Sequence, residues 1–597
     1  MDGNNVRNPL WLKEESDDHL YVDIFANKFY GISIDAVQSE VDGLFNDRPS
    51  KNNDKSKLFR VDGNKLFSER KYHLALEKYN RSACYAENGS DELVLAYSNR
   101  SCCYLKLKLY QQCLNDIKMI KESNYPSGVQ DKLDSRQAKC LQFLTNDTVD
   151  SVRIDVQKVG LSFGEHERYA GVAECLKLQY NSEWGRHVTT NRDLEINETV
   201  MVESPFSFVG HDCSDSKYYR CSNCYKSLMN FIPCTECVGS MFCNSECLEE
   251  ATKSRHQIEC HLAKIESTDC ECKEKEFQLV LDLLWKISSA FESVYDLIRT
   301  IELIVHGKGI EATRTNETLK RLEMILQLET NEEKQDATDW ERLIRNSVKN
   351  YLVAMEMPRF QQRFVSERHK RFLKHLILHL LLTARQSILF SDLDVDVTIF
   401  RFAELRDYGI GLYPIGSLLN HSCVPNVYCY SVDNRLICKV IRPIKSGDQL
   451  FRSYLSGQII MMDDPDDPSL QSSYEFLKKE YKIEDCKCSY CSLRKTSPQT
   501  LPDPWLETKD PNYLKIRSIL TGHIGKFFQM SDGERKSYVG AATDYLCKYE
   551  VMHPTREIFV VQIYLQNYWM ITTQQCDRRA GVTCDKKPPS EKTERKI

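Results

Sequence analysis

The chain has 597 residues, of which 41% are hydrophobic and 28% charged, and a formal net charge of -6. Its length predicts several domains with large cores, and its weak acidity gives no general reason to expect nucleic-acid binding. The N-terminal sequence lacks the apolar segment of a secretory signal, and the most apolar run, residues 372–384, is too short and too polar to cross a bilayer. We predict a monomer of the cytoplasm and nucleus that does not bind membranes.

Residues 1–54 are predicted to be a polar N-terminal extension with one short helix, and residues 55–150 to form helical repeats. The segment that contains Gly63, Ala75 and Tyr79 is repeated by the segment around Cys113, and the equivalent positions Ala75 and Cys113 are 38 residues apart. This separation is close to the tetratricopeptide period of about 34 residues plus a short loop insertion. A third, weaker unit begins near Lys132. Such repeats stack into a right-handed solenoid with a concave face.

The concave face carries a candidate peptide-binding clamp. Tetratricopeptide domains that this one resembles use equivalent positions to hold the two carboxylates at the end of an acidic chaperone tail through charge-assisted hydrogen bonds. The alternative is an ordinary solvated surface, because repeat surfaces are rich in lysine, arginine and asparagine. The clamp residues are Arg60, Asn64, Asn99, Lys132 and Arg136.

Residues 151–212 are predicted to contain a small β unit. Gly185 permits a tight turn, and a strand can begin in the region from Val188 to Thr190. The segment from Thr199 to Glu203 is β-branched and alternating, as in a second strand, and Asn197 marks a turn before it. We expect these segments to form a β-hairpin.

Residues 221–260 contain the most specific pattern in the chain. Without a route to an oxidising compartment, the 25 cysteines are expected to be reduced thiols or metal ligands. Pairs of ligands two or three residues apart can bind Zn²⁺ tetrahedrally, and the eight ligands present here make two closed, structural sites. The interleaved assignment places Cys221, Cys224, Cys243 and Cys247 on one ion and Cys234, Cys237, His256 and Cys260 on the other.

This cysteine pattern resembles the MYND zinc finger. The resemblance implies a binding or scaffolding role, with a proline-containing peptide as a partner. Cys270 and Cys272 lie just outside the array and are further candidate ligands.

Residues 270–383 are predicted to be a helical insertion. Three segments, 279–305, 337–355 and 370–390, repeat apolar residues at intervals of three and four, which is the pattern of helices with one buried face. We expect these apolar stripes to be core, and the insertion to form one wall of a cleft.

The stretch from Gly416 to Val427 places an asparagine, a histidine, a serine and a cysteine in succession at 420–423, ahead of a proline that stops any helix. Such a run suits a ligand pocket, although a polar loop with a buried cysteine would look the same. Residues 445–454 then predict a turn at Gly447 and a strand that ends at Tyr454. Three more cysteines follow at 486–491, one short of a zinc site. We therefore assign a third ion to Cys423, Cys486, Cys488 and Cys491.

Together these motifs resemble a SET domain with its post-SET zinc site. The finger inserted at 221–260 and the N-terminal repeats make the chain resemble the tetratricopeptide-bearing subgroup of the SET- and MYND-domain protein-lysine methyltransferases. The resemblance implies a SET core at 384–460, a post-SET segment at 470–495, and S-adenosylmethionine as cofactor, with Tyr454 as the catalytic tyrosine beside the transferred methyl group. The implied cofactor-binding residues are Gly185, Arg186, His187, Asn420, His421 and Tyr454.

The implied reaction is the in-line attack of a neutral lysine amine, in a histone or another protein, on the sulfonium methyl group. Burial and the nearby sulfonium cation favour loss of the ammonium proton, whose pKa in a free lysine is about 10.4. Three positions depart from the family pattern. His187 stands where glycine is usual, Ala384 or Arg385 where asparagine is frequent, and Ile483 near the position of an aromatic residue that packs on adenine.

Residues 500–576 are predicted to form a second helical array, with helices at 514–530, 535–550 and 557–570, and residues 577–597 a disordered tail. The fold class is multidomain α+β, with mainly helical tetratricopeptide-type arrays flanking a split, β-rich SET domain. The predicted function is S-adenosylmethionine-dependent protein-lysine methylation with three Zn²⁺. The alternative is an inactive adaptor that binds partners through the finger and the repeats.

Overall fold

The structure is a computed structural model in which the chain forms two compact units. The described residues of one unit lie within 31–51, 159–392 and 407–569, and those of the other within 52–146. Among the described residues, none of the helices has the length and apolar character needed to cross a membrane. The structure describes residues 31–46, 49–123, 128, 130–146, 159–210, 217–226, 229–262, 275–305, 317–392, 407–455, 468–496, 511, 514 and 531–549, and single positions from 558 to 569.

Helix α1 (Ile34–Asn46) is a short helix within the predicted N-terminal extension. It buries Val37, Val41 and Leu44 and packs on the helix at 337–355 of the same unit. The side chains of Glu40 and Arg345 join the two helices by an ion pair. The extension is therefore partly folded onto the larger unit.

The smaller unit is a series of consecutive, pairwise packed helices. A Cβ atom at Gly63 would lie 2.5 Å from the ring of Tyr79, so the close approach of the first two helices requires glycine there. Asn52 and Ser90 cap two helices by accepting hydrogen bonds from backbone N–H groups. The helix pairs agree with the predicted repeat, whose tetratricopeptide type stays a prediction. The helices are α2 (Asn53–Ser68), α3 (Tyr72–Tyr85), α4 (Asp91–Lys106), α5 (Tyr110–Lys121) and α6 (Gln130–Asn146).

The first strands of the larger unit are β1 (Leu176–Asn181), β2 (Gly185–Thr190), β3 (Thr199–Glu203) and β4 (Ser207–Gly210). The predicted hairpin between 188–190 and 199–203 is wrong, because β2 pairs with β1 and β3 pairs with a later strand at 435–440. Strand β1 alternates apolar and polar residues from Leu176 to Asn181, which is a strand pattern, but the prediction did not include this segment. Asn197 does form a turn, with a φ of +77°.

The described elements of the cysteine-rich finger are all short. They are β5 (Ile232–Pro233), β6 (Met241–Phe242), α7 (Ser245–Thr252) and α8 (His256–Glu259). Asn244 caps α7 by accepting the N–H of Cys247 at 2.8 Å.

Within its described residues, the predicted insertion contains six α-helices. Helix α14 is its centre, since it packs on α9, α11 and α12 and buries Leu373, Leu376 and Leu380. The prediction of helix to residue 390 is wrong at its end, because the chain enters a strand at Ile388. The domain boundary predicted between 383 and 384 falls inside α14, and the domain boundaries stay predictions. The helices are α9 (Lys275–Ser289), α10 (Val294–Val305), α11 (Glu317–Leu326), α12 (Ala337–Met355), α13 (Pro358–Arg363) and α14 (Glu367–Ser387).

The remaining elements are β7 (Ile388–Asp392), β8 (Asp407–Leu412), β9 (Asn420–His421), β10 (Val427–Val432), β11 (Arg435–Val440), β12 (Phe451–Arg452), α15 (Pro468–Tyr481), α16 (Ser489–Thr496) and α17 (Asp532–Lys548). Two three-stranded sheets have the orders β4-β8-β7 and β10-β11-β3, whereas β9 and β12 form a parallel pair. The strand predicted to end at Tyr454 ends at Arg452. Helix α17 matches the helix predicted at 535–550, and the rest of the C-terminal array and the tail lie largely outside the described residues.

Candidate functional site

The loop at 420–423 is held against residues 449–454, about thirty positions later. Phe451 and Arg452 of β12 lie opposite Asn420 and His421 of β9 in parallel register. The Asn426 side chain accepts the N–H of Phe451 at 2.7 Å and donates to the carbonyl of Gln449 at 2.8 Å. Two motifs that the sequence shows separately therefore form one site.

Tyr454 has both of its polar ends fixed by this loop. Its N–H donates to Nδ1 of His421 at 3.0 Å, and its hydroxyl donates to the carbonyl oxygen of Leu419 at 3.0 Å. Burial raises the pKa of Tyr454 to about 12, although the Arg452 guanidinium lies 4.1 Å from the ring centroid. The phenol is therefore neutral at physiological pH, with one defined orientation.

The turn before β2 is the third part of the site. The Asn420 amide donates to the carbonyl of Trp184 at 3.1 Å, and Gly185 has a φ of +63° with open space where a Cβ would lie. The Arg186 guanidinium donates to the carbonyl of Gln327, and burial lowers its pKa to about 10. His187 is buried, and its Nδ1 lies 2.9 Å from the carbonyl of Gly185. The predicted residues at 185–187, 420–421 and 454 thus belong to one network, in which Arg186 binds the helical insertion.

An amide and an aromatic ring lie near two of the positions that depart from the family pattern, Arg385 and Ile483. Asn331 donates to Oε1 of Gln386 at 2.9 Å, so an amide lies one residue after Arg385. The ring of Tyr481 lies 4.5 Å from that of Tyr454, whereas Ile483 is held through its backbone. The aromatic residue next to Tyr454 is therefore two positions before Ile483, and the predicted contact with adenine stays a prediction. Asn331 and Gln386 carry no local pattern, so sequence reasoning missed them.

Glu203, at the end of β3, holds residues 415 and 416, which lead into the loop at 420–423. Its buried carboxylate accepts the N–H groups of Ile415 and Gly416 at 2.9 and 2.8 Å. Burial raises the pKa of this carboxyl to about 7 against these two hydrogen bonds, which favour the ionised form. The only trace in the sequence is an acidic residue at the end of an apolar strand.

The raised pKa of Glu203 predicts a pH-dependent stability. Between its ordinary pKa of 4.5 and about 7, the folded state binds more protons than the unfolded state, so this group's contribution to stability falls as the pH rises through that window. Glu203→Gln removes the titration. From pH 4.5 to 8, we expect the unfolding free energy of the wild type to fall by up to ~3 kcal/mol more than that of the variant, measured by chemical denaturation. Parallel pH profiles would contradict this role of Glu203.

Three groups of cysteine and histidine could each hold a metal ion, and they have the predicted membership. Within each group all ligand atoms lie within 4.8 Å of one another. Sulfur atoms bound to one tetrahedral Zn²⁺ are about 3.8 Å apart, and the Sγ atoms of Cys234 and Cys260 are 3.8 Å apart. Cys270 and Cys272 lie outside the described residues. The groups are Cys221, Cys224, Cys243 and Cys247; Cys234, Cys237, His256 and Cys260; and Cys423, Cys486, Cys488 and Cys491.

Neighbouring groups support these sulfur atoms. The N–H groups of Asn223 and Cys243 donate to Sγ of Cys221 at 3.4 Å, which stabilises a thiolate. Nε2 of His421 lies 3.2 Å from Sγ of Cys423. The third group thus includes a residue of the loop at 420–423, and this residue contacts His421, which binds Tyr454.

The predicted clamp residues lie on α2, α4 and α6, and most of them are engaged. Arg60 donates to Glu92 through Nε and Nη2 at 3.0 and 2.9 Å. Asn99 donates to Asn64 at 2.8 Å, and Arg136 donates to the carbonyl of Ser98 at 2.9 Å. Lys132 is exposed. An incoming carboxylate would therefore compete with Glu92 for Arg60.

Comparison with known proteins agrees with this geometry. A family model described as "SET domain" matches residues 49–455. A match to the zebrafish (Danio rerio) protein-lysine N-methyltransferase SMYD4 is 26% identical and covers 34% of this chain and 29% of that protein. The SMYD4 of Pongo abelii is 23% identical over 73% of this chain and 66% of its own length. The mouse (Mus musculus) histone-lysine N-methyltransferase SMYD3 is 24% identical over 50% of this chain and 58% of its own length.

The chain thus matches less than two thirds of each of these relatives. The family model nevertheless includes the turn at 185, the loop at 420–423 and Tyr454. On the extent of that match, the chain belongs to the SET domain family.

Proposed function

We propose that this chain is an S-adenosylmethionine-dependent protein-lysine N-methyltransferase. The observation that carries the proposal is the arrangement at Tyr454: its backbone N–H binds His421, and its neutral, partly buried phenol binds the carbonyl of Leu419. A fixed phenol beside an asparagine-histidine pair suits the positioning of a cofactor and an amine. The proposed activity is also supported by the relatives, which are named as protein-lysine or histone-lysine N-methyltransferases.

The residues present fit the cofactor. Gly185 leaves open space at a positive-φ turn, and Asn420, whose amide already binds that turn, adjoins it. Gly185, Arg186, His187, Asn420, His421 and Tyr454 would hold S-adenosylmethionine, which supplies an electrophilic methyl group when bound. Tyr454 would orient the acceptor lysine of a histone or another protein. His421, which lies beside the partly buried Tyr454, is itself buried, and such surroundings disfavour an ammonium ion.

Zn²⁺ is the metal that fits the three cysteine-rich groups. All of their positions are filled by protein side chains, so their role is structural. In the finger they would fix short elements that have little core of their own.

Calorimetric titration of the cofactor into the purified chain tests the proposal. We expect saturable binding, followed by transfer of a labelled methyl group to a pool of lysine-containing peptides. An absence of binding at millimolar cofactor would rule the proposed activity out.

A specific observation favours the adaptor as a second candidate. A cavity of about 290 Å³ lies beside the finger and is lined by Phe208, Tyr225 and Phe242, among others. Grooves lined by aromatic side chains bind proline-containing peptides, although these three rings are at most 6% exposed. Adaptor activity would be supported if such a peptide bound while the cofactor did not. Residence in the cytoplasm and nucleus is part of either proposal.

We also propose that the helical unit captures acidic chaperone tails. Lys132→Glu with Arg136→Glu reverses two positive charges of the clamp, so we expect the double variant to lose capture of a peptide ending Glu-Glu-Val-Asp, measured by fluorescence polarisation. Lys118→Glu with Lys139→Glu makes the same charge change outside the clamp and should bind as the wild type does. If the two double variants bind this peptide with the same affinity, the clamp is refuted.

A further inference from the structure

A buried group of charges links the helical insertion to the chain that follows α15. Asp339 of α12 binds two cations, Nη2 of Arg385 at 2.6 Å through Oδ1 and Nζ of Lys482 at 2.7 Å through Oδ2. Arg385 also lies 3.5 Å from Glu480. The side chains of Asp339, Arg385 and Lys482 are 6%, 1% and 9% exposed. A network with this little exposure is screened far less by salt than a surface pair.

Lys482 has an unusual backbone. Its φ is +57°, a left-handed conformation that costs a non-glycine residue about 1 kcal/mol or more. The ion pair with Asp339 is the contact that its side chain makes in this conformation. The turn at 480–483 is also held through its backbone, because the carbonyl of Glu480 accepts from Gln386 at 3.4 Å and the N–H of Ile483 donates to Leu477 at 3.1 Å.

The same turn presents Tyr481 to the candidate active site. The rings of Tyr481 and Tyr454 are 4.5 Å apart with their planes at 43°. Because Lys482 directly follows Tyr481 and Glu480 directly precedes it, both neighbours of this tyrosine are anchored to the insertion. No such role is suggested by the sequence, in which Asp339 is 143 positions from Lys482.

We infer that Asp339, with Arg385 and Lys482, is a positioning device that holds Tyr481 against Tyr454 and so shapes the cofactor side of the pocket. Asp339 acts through Tyr481 and does not itself reach the reacting atoms. The effect on catalysis rests on the proposed function, whereas the effect on the turn does not.

The test uses the full chain and four variants. Lys482→Met removes the ion pair and keeps the backbone strain, Lys482→Gly removes the ion pair and the strain, and Lys482→Arg keeps the charge. Lys370→Met removes a solvent-exposed ion pair with Glu367 on α14 and is the matched control. Hydrogen exchange of residues 476–485 is measured without cofactor by mass spectrometry, and the cofactor dissociation constant by calorimetry.

In Lys482→Met and Lys482→Gly we expect faster hydrogen exchange of residues 476–485 and about tenfold weaker cofactor binding. The value of kcat at saturating cofactor should change much less than the KM for the cofactor. Lys482→Arg and Lys370→Met should behave as the wild type does. Wild-type exchange rates in both Lys482→Met and Lys482→Gly would overturn the inference. A wild type that binds no cofactor, combined with faster exchange in these two variants, would refute the proposed function and support the positioning role.

Discussion

Tyr454→Phe is expected to lower the rate of methyl transfer by about a hundredfold or more while leaving the metal content unchanged. The substitution removes the hydroxyl that binds the carbonyl of Leu419 but keeps the backbone N–H that binds His421. Because the ring and the backbone N–H of Tyr454 remain, the cofactor dissociation constant should change much less than the transfer rate. Loss of one preorganised polar group at a reacting centre commonly costs about 10²- to 10³-fold in rate. Single-turnover transfer and calorimetry measure the two effects separately.

Tyr218→Phe is the control for this experiment. Its hydroxyl is also buried and donates to a backbone carbonyl, that of Val238, at 3.2 Å. This control should lose a similar hydrogen bond without loss of methyl transfer. Equal rates in Tyr454→Phe and the wild type would remove Tyr454 from the catalytic role.

Cys423→Ser is expected to remove one metal ion per chain and to weaken cofactor binding by about 10- to 100-fold. Cys423 lies two residues after His421 and contacts it through Sγ, and its partner Cys486 follows the turn that carries Tyr481. One ion therefore ties together both sides of the site, and loss of such support commonly costs about 10- to 100-fold. Elemental analysis and calorimetry measure the two changes.

Cys102→Ser provides the comparison for this variant, because Cys102 is half-buried and belongs to none of the three groups. It should keep its metal and its cofactor affinity. The coupling is disproved if Cys423→Ser loses an ion and still binds the cofactor as the wild type does.

The metal groups could be predicted because metal binding leaves a local record in the sequence. Cys221 and Cys224 must be close along the chain to bind one ion together, and the same applies to the other pairs. Even Cys423, which is 63 positions from Cys486, could be assigned, because three ligands at 486–491 required a fourth. The site at Tyr454 was reached by resemblance, which the family match then supported.

Other parts of the site could not be predicted, because their residue types carry no record of their partners. Glu203 binds backbone N–H groups more than 200 positions away, and any acidic residue at the end of a strand would look the same. Strand β1 has the alternation of a strand, but alternation does not say which strand it pairs with, and β2 was assigned to β3 instead. Tyr481 was missed because a tyrosine at the end of a helix carries no sign in the sequence of its contact with Tyr454.

The interleaving of the two finger groups has a consequence for how the protein acquires metal. Cys234 and Cys237 lie between Cys224 and Cys243 in the chain, so closing either group brings the ligands of the other closer together. Binding of the first ion thus lowers the entropy cost of binding the second. When metal is scarce, chains with a full finger and chains with an empty one should coexist, and half-filled fingers should be rare. Shortage of metal would then change the number of chains with a working finger and leave the properties of each filled finger unchanged.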